Sequence, residues 1–474
     1  MMGSILWVLS FSLAFFTQVL AGSPASKIYG VNLGSWLVLE SWMLPQGWLD
    51  MGGQLCADCS TCISTESSFA KAYPDTVDTT FAKHWDTWFT QDDIEQLREA
   101  GINTVRIPLG YWIIEALVDR SVEAYPRGGL TYLRRGLNWL QGAGIQAILD
   151  HHALPGVQTP GQQFTGNCTS DVQFYTPYNY HRALVWTAVM TALCHLDTNF
   201  ASVFAIEAVN EPIMDASQTP AYGSFQKDFV QTVRAVELVL GIPVPHMSLN
   251  ITDASTSNFT AALSSACKSS VFTSEVQLAL SDAIPILLDI GLDYGLYDIF
   301  TSDPFKSSRS SLMTNFMDVN WQYDNPPNPA AAAIGPQAYD NHLYYSFGGV
   351  ADSNPTAYLT SVCNLQRVQN DAAVGNSPLW FGEWALSTQF DATDDFLYQW
   401  ADAQKLAYSQ GAGWIFWNFK TEISNLTDGN ALARQWSYLE GLSLGFLTQD
   451  PTELNDPNIC VPYVYDSTAN GTSS

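Results

Sequence analysis

Val203–Pro212 reads VFAIEAVNEP, an apolar run that stops at Asn210-Glu211-Pro212. A strand buried on both faces is written as a continuous apolar segment rather than an alternating one. The proline that follows cannot extend a ladder, so the chain has to turn with Glu211 at the corner. A carboxylate placed there stands at the mouth of whatever the strand helps to build.

Outward from this stretch the same cadence recurs. Thr90 with Asp93 three residues on is a helix-start signal; Asp92–Ala100 is amphipathic, Gly101 ends it, and Ile102–Pro108 is a strand. Leu130–Gly142 is a helix, Gly144 a breaker, and Ile145–Asp150 a strand running into His151-His152. Tyr180–Leu196 precedes the Val203 strand, and Phe225–Leu240, closed by Gly241, follows it. Asn341–Phe347, Leu379–Trp384 and Gly413–Asn418 read as further strands, with Asp394–Ser409 helical between the last two. Lys27–Leu33 brings the strands to seven, and an eighth is expected between Glu211 and His342, where Leu312–Val319 and Ile284–Ile290 compete. Helix, glycine and apolar strand repeated this often predict an α/β chain with a parallel sheet and crossover helices. Eight units fit a (β/α)8 TIM barrel with loop insertions. The alternative is a doubly wound open sheet, but no glycine-rich phosphate loop follows an early strand.

The ends and the inserts are read from composition. Ile5–Ala21 is apolar and ends in small residues, which predicts a secretory signal peptide over 1–22. The run is short for a membrane span, and no second long apolar segment follows. Residues 23–465 are expected to form one barrel domain, with an exposed, glycosylated insertion at Ile242–Asp282 and a polar tail at 466–474. Eight cysteines and five Asn-X-Ser/Thr sequons, at Asn167, Asn250, Asn258, Asn425 and Asn470, agree with export. In an exported chain the Cys56/Cys59/Cys62 cluster is read as disulfide-forming rather than metal-binding, so the segment to about Asp86 becomes a disulfide-pinned excursion. A net charge of −27 excludes nucleic acid and anionic membrane as partners and is compatible with a neutral substrate. The 16 Trp and 21 Tyr supply flat rings with polar handles, suited to a core and also to stacking on sugars.

In a barrel, residues at the C-terminal strand ends share one open face. Here they are Arg106, His152, Asn210, Glu211, His342, Tyr344, Glu383 and Trp417. The set contains neither a Cys/His zinc site nor a Ser-His-Asp arrangement, and it calls for no metal and no cofactor. Two facing glutamates with aromatic walls are what glycosidic cleavage requires: one protonated to release the leaving oxygen, the other ionised. Arg106 is expected to hold one glutamate ionised while burial and the partner's charge raise the other. Glu207, four residues before Glu211, is assigned a structural role inside the barrel.

Seven blocks then carry a resemblance: GVNLGSWLVLESW (Gly30–Trp42), NTVRIPLGYW (Asn103–Trp112), DHHALPG (Asp150–Gly156), VNEP (Val209–Pro212), NHLYYSF (Asn341–Phe347), FGEW (Phe381–Trp384) and GWIFWNFK (Gly413–Lys420). In this order they resemble glycoside hydrolase family 5, and within it the secreted fungal β-glucanases. The resemblance implies Glu211 as acid/base and Glu383 as nucleophile of a retaining double displacement. It implies Arg106 and Asn210 as supports of the nucleophile and the sugar 2-hydroxyl, His152, His342 and Tyr344 as orienting groups, and Trp417 as the platform under the cleaved sugar. Glu40 resembles the glutamate that grips a terminal glucose in exo-acting relatives. His152 aligns with the family's single histidine, and His151 stands where an apolar residue is usual. The cysteine-bearing excursion, Gly110–Val118 and Ala153–Gly166 resemble the endo-β-1,6-glucanases more than the exo-β-1,3-glucanases, while the Cys267-bearing insertion departs from both. A secreted, monomeric β-glucan hydrolase is the expectation. A glucan-remodelling transglycosylase and a non-catalytic glucan-binding barrel are its rivals.

Overall fold

The computed structural model describes residues 27–248, 258–302, 310–322 and 328–465. The expected signal peptide, the tail at 466–474 and the sequons at Asn250 and Asn470 lie outside the described residues. Eight strands form a closed barrel in sequence order: β1 (Ile28–Asn32), β2 (Thr104–Gly110), β3 (Gln146–Ala153), β4 (Val203–Glu207), β5 (Met313–Met317), β6 (Gln337–His342), β7 (Leu379–Glu383) and β8 (Gly413–Phe416). Every neighbouring pair is parallel, and β1 closes on β8. Closure leaves no edge strand exposed. The open-sheet alternative is thereby excluded.

Strand periodicity sorts the interior into layers. Ile28, Ile148, Ala205, Ala338, Trp380 and Ile415 form an apolar cluster at the floor. Two residues on, along the same strands, Asp150, Glu207 and Asp340 point inward and are fully buried, with Arg106 and Asn315 beside them. Gly382 makes this polar layer possible: a Cβ there would meet Asp340 Oδ2 at 2.0 Å, and its N–H donates to Asp340 Oδ1 at 2.6 Å.

Three expectations are corrected. The sixth strand is Gln337–His342, not Asn341–Phe347. Two of its three inward residues, Asp340 and His342, are polar, so it lacks an apolar signature, whereas Leu343 and Tyr345 are buried because the following loop packs on the helical coat. Ile284–Ile290 belongs to the helix Ser274–Tyr294, whose buried positions Val276, Ala279, Leu280, Ala283, Leu287 and Ile290 keep helical spacing. The segment Ile242–Asp282 is not simply an exposed insertion. Phe259, Ala262, Leu263 and Ala266 of the helix Phe259–Ala266 are buried, and Ser274–Tyr294 packs on the helix Pro177–Leu196. That layer explains why Pro177–Leu196 is buried on nearly every side.

Disulfides fix the excursion after β1, which also folds into the helices Pro45–Met51, Glu66–Ala72 and Val77–Trp88. Cys56 pairs with Cys62, and Cys59 with Cys168, which ties the β1 excursion to the loop after β3. Cys363 pairs with Cys460.

Candidate active site

The turn after β4 does what the sequence requires of it: Glu211 sits at φ 41°, in the left-handed region that a non-glycine residue seldom occupies. Its backbone oxygen accepts from Thr159 Oγ1, and Gln158 Nε2 reaches the Asn210 oxygen at 3.1 Å, so the loop after β3 braces the corner. From β7, Glu383 arrives at the same face. Carboxylate oxygens of Glu211 and Glu383 and a ring nitrogen of His342 all lie within 4.8 Å of one another.

Each carboxylate has its own company. Glu383 is buried; Arg106 NH1 donates to its Oε1 at 2.9 Å and the Tyr344 hydroxyl to its Oε2 at 2.8 Å. Glu211, with a side chain 20 % exposed, has His342 Nδ1 at 2.8 Å, and the same nitrogen is 3.5 Å from Glu383. Burial pushes the Glu383 carboxyl up to about 8, and the Glu211 charge adds to the push against His342, Arg106 and Tyr344. His342, Arg106 and Tyr344 each favour the ionised form of Glu383. Burial alone would lower His342; Glu383, with Asp340 and Glu211, outweighs it and holds the ring well above the ordinary histidine value.

The remaining expected residues converge on the same face. Asn210 Oδ1 accepts from Arg106 NH2 at 2.8 Å. His152 lies with Nδ1 2.6 Å from Asp150 Oδ2 and its ring parallel to Trp417, centroids 5.6 Å apart. Burial holds His152 well below the ordinary value, so a neutral ring donates Nδ1–H to Asp150. His151 points the other way and stacks on Trp186 at 3.9 Å, outside the barrel. Glu40 is buried, accepts from Trp42 Nε1 at 2.9 Å, and is pushed up to about 8 first by burial and then by the Glu383 and Glu211 charges.

A sequence profile described as "Cellulase (glycosyl hydrolase family 5)" matches residues 71–422 of this chain. The chain belongs to glycosyl hydrolase family 5. It is an O-glycoside hydrolase of a retaining family. Among family relatives, the "Probable glucan endo-1,6-beta-glucosidase B" of Neosartorya fischeri is 30% identical over 93% of this chain and 92% of its own length. The "Probable glucan 1,3-beta-glucosidase A" of Aspergillus fumigatus is 26% identical over 91% of this chain and 90% of its own. The crystal structure of rutinosidase from Aspergillus niger superposes with a TM-score of 0.57 at 17% identity, covering 89% of this chain and 97% of that one, a likeness of fold.

Several groups at this family 5 site stand outside the strand-end set. Asp150 and Asp340 each stand two residues before a site histidine, and period two on a strand puts acid and histidine on one face. That spacing was available to be read. The aromatic rim was not: Trp42 meets Trp436 at 5.2 Å, Trp436 meets Tyr344 at 5.5 Å, and Phe347 meets Tyr344 at 5.6 Å. Trp321 stands against His342 at 5.6 Å.

Proposed function

We propose that this family 5 chain is a secreted hydrolase of β-glucan that cleaves β-1,6-linked chains internally, with Glu383 as nucleophile and Glu211 as acid/base. The observation that carries the reading is the approach of the two carboxylates within 4.8 Å. Retaining glycosidases keep the pair about 5–5.5 Å apart, whereas inverting ones leave roughly 6.5–9.5 Å for a water. In the first step a Glu383 oxygen attacks the anomeric carbon while Glu211 gives its proton to the departing glycosidic oxygen. In the second, Glu211 takes a proton from water, which displaces Glu383 and releases a product of the original configuration.

The supporting roles follow from the contacts. Arg106 and Tyr344 keep the Glu383 charge and aim it. Asn210, its oxygen taken by Arg106, has its amide nitrogen for the sugar 2-hydroxyl. His342 holds Glu211 by one oxygen and leaves the other for the proton. Trp417, backed by His152, is the platform for the cleaved sugar. A neutral polysaccharide suits the acidic chain, and the reading needs no metal, cofactor, membrane or partner subunit. The three disulfides support an oxidising, extracellular setting, with the fungal cell wall as substrate.

The endo-β-1,6 preference rests on the Neosartorya relative's name and the resemblance of the excursion. Glu40, buried and oriented by Trp42, favours a second reading, exo-cleavage of β-1,3-glucan, as the Aspergillus relative is named. Incubation with β-1,6-linked pustulan and β-1,3-linked laminarin, followed by chromatography, tests them. Pustulan broken first to mixed oligosaccharides is the expected result. Glucose as the sole early product from laminarin, with pustulan intact, would replace the first reading by the second.

A further inference from the structure

Beneath the reacting pair, one guanidinium is asked to serve four carboxyl groups. Arg106 lies 2.9 Å from Glu207, 2.9 Å from Glu383, 3.1 Å from Asp150 and 3.6 Å from Asp340, and Arg106, Glu207, Asp150 and Asp340 are wholly buried. Buried charge must be paired or neutralised. Three of the four have other support. Asp150 has the His152 ring at 2.6 Å. Asp340 has the Gly382 N–H and, at 3.8 Å, His342 Nε2. Glu383 has Tyr344 and His342. Asp150 Oδ1, Asp340 Oδ2 and Glu207 Oε1 are all unbonded, but among the described residues Glu207 alone of the four has no donor besides Arg106, whose Nε reaches its Oε2.

Next to it stands a second unmatched group. Asn315 is the register partner of Glu207 across β4 and β5, is fully buried, and has neither its amide oxygen nor its amide nitrogen bonded. An ionised Oε1 would be a buried charge without a donor. A protonated one supplies an O–H, which one trapped water can pass on to the Asn315 amide oxygen.

We infer that Glu207 is held in the barrel as a neutral carboxylic acid, a positioning residue whose uncharged state leaves the Arg106 charge to Glu383. Burial pushes Glu207 in that direction, to about 8, with Asp150 and Asp340 adding to it and Arg106 opposing. The titratable and charged groups facing this layer are Arg106 from β2, Asp150 and His152 from β3, Asp340 and His342 from β6 and Glu383 from β7. The inward residues of β1 and β5, Asn32 and Asn315, are uncharged, and β8 brings none. The catalytic consequence rests on reading Glu383 as the nucleophile. The protonation of Glu207 does not.

The sign of the linkage fixes the experiment. A carboxyl raised in the folded state keeps its full contribution to stability below its unfolded value and loses it as the pH rises through the folded one. Unfolding at about pH 6.5 therefore releases the Glu207 proton. Calorimetry in buffers of different ionisation enthalpy should find about one proton fewer released by Glu207→Gln and by Glu207→Met than by the wild type. Initial rates on glucan should separate a mild Glu207→Gln variant from a Glu207→Ala variant at least about tenfold slower, since only the former keeps a partner for Arg106. Proton release equal to the wild type in the uncharged variants, or failure of both to fold, overturns the inference. The release is read on unfolding and is blind to activity. Wild type inert on every glucan would thus sink the proposed function and leave this inference intact.

Discussion

Ile28, Ile148, Ala205, Ala338, Trp380 and Ile415 close the floor of the barrel. Two residues further along β3, β4 and β6, Asp150, Glu207 and Asp340 occupy equivalent inward positions under the cleft. Both rings are out of water, yet one is built from apolar shape and the other from carboxyl groups around one guanidinium. The floor gains by removing hydrocarbon from solvent, about 25 cal/mol per Å². The polar ring starts with a desolvation cost of several kcal/mol per ion and offsets it only through paired geometry. It contributes weakly, if at all, to stability, and its reason for being there is the cleft above: it fixes Arg106, and Arg106 fixes Glu383. Substitutions in the two rings should therefore separate activity from stability.

The sharpest separation is expected at the rim. Glu383→Gln removes the proposed nucleophile and its charge while keeping its shape, and should lower kcat on glucan by about four orders of magnitude or more with the melting temperature little changed. Loss of fold in step with activity would erase the distinction between the rings. Glu211→Ala should cost roughly 10²–10⁴ in kcat on glucan. It should cost far less on an aryl glucoside whose leaving group departs without a proton. Equal losses on both substrates would take the acid role from Glu211.

The floor should behave in the opposite way. Ile148→Ala, in the apolar ring and two residues before Asp150 on β3, is expected to destabilise the fold by about 2–5 kcal/mol in denaturant unfolding. Its kcat at a temperature where the variant is folded should stay within about threefold of the wild type. A large kcat effect would mean that the floor sets the height of the polar ring, making the two rings one unit.

The same contrast explains what could be read in the chain and what could not. β4 and β7 were legible because apolar strands run into a glutamate, VFAIE and LWFGE. β6 was displaced along the sequence because its inward side is Ala338, Asp340 and His342, a pattern that hides a strand inside a polar stretch. Ile284–Ile290 was ambiguous because a short apolar run fits either period; its neighbours at Val276, Ala279, Leu280 and Ala283 decide for a helix. Within the site, Glu211, Glu383 and His152 could be named because each lies at or near the C-terminal end of a strand, whereas Arg106 is the third residue of β2 and reaches Glu383 from the layer beneath. The Cys59–Cys168 link and the meeting of Trp42 with Trp436 are closures between distant loops, and no local spacing encodes them.

The smallest predicted effect lies at the aromatic rim, where the cleft opens to solvent. Phe347 is 77% exposed, unusual for a large aromatic, and its ring meets Tyr344 at 5.6 Å and Trp436 at 6.3 Å. A phenyl ring that buries so little holds little of the fold together, so Phe347→Ala should change stability by no more than about 0.5 kcal/mol. If that ring stacks on a sugar beyond the cleaved bond, its loss should raise KM for glucan by roughly two- to tenfold, the worth of one aromatic contact. An aryl glucoside too short to reach it should be turned over as before. Equal kinetics on polymer and aryl glucoside would make Phe347 an idle exposed ring, and would end the cleft at Tyr344.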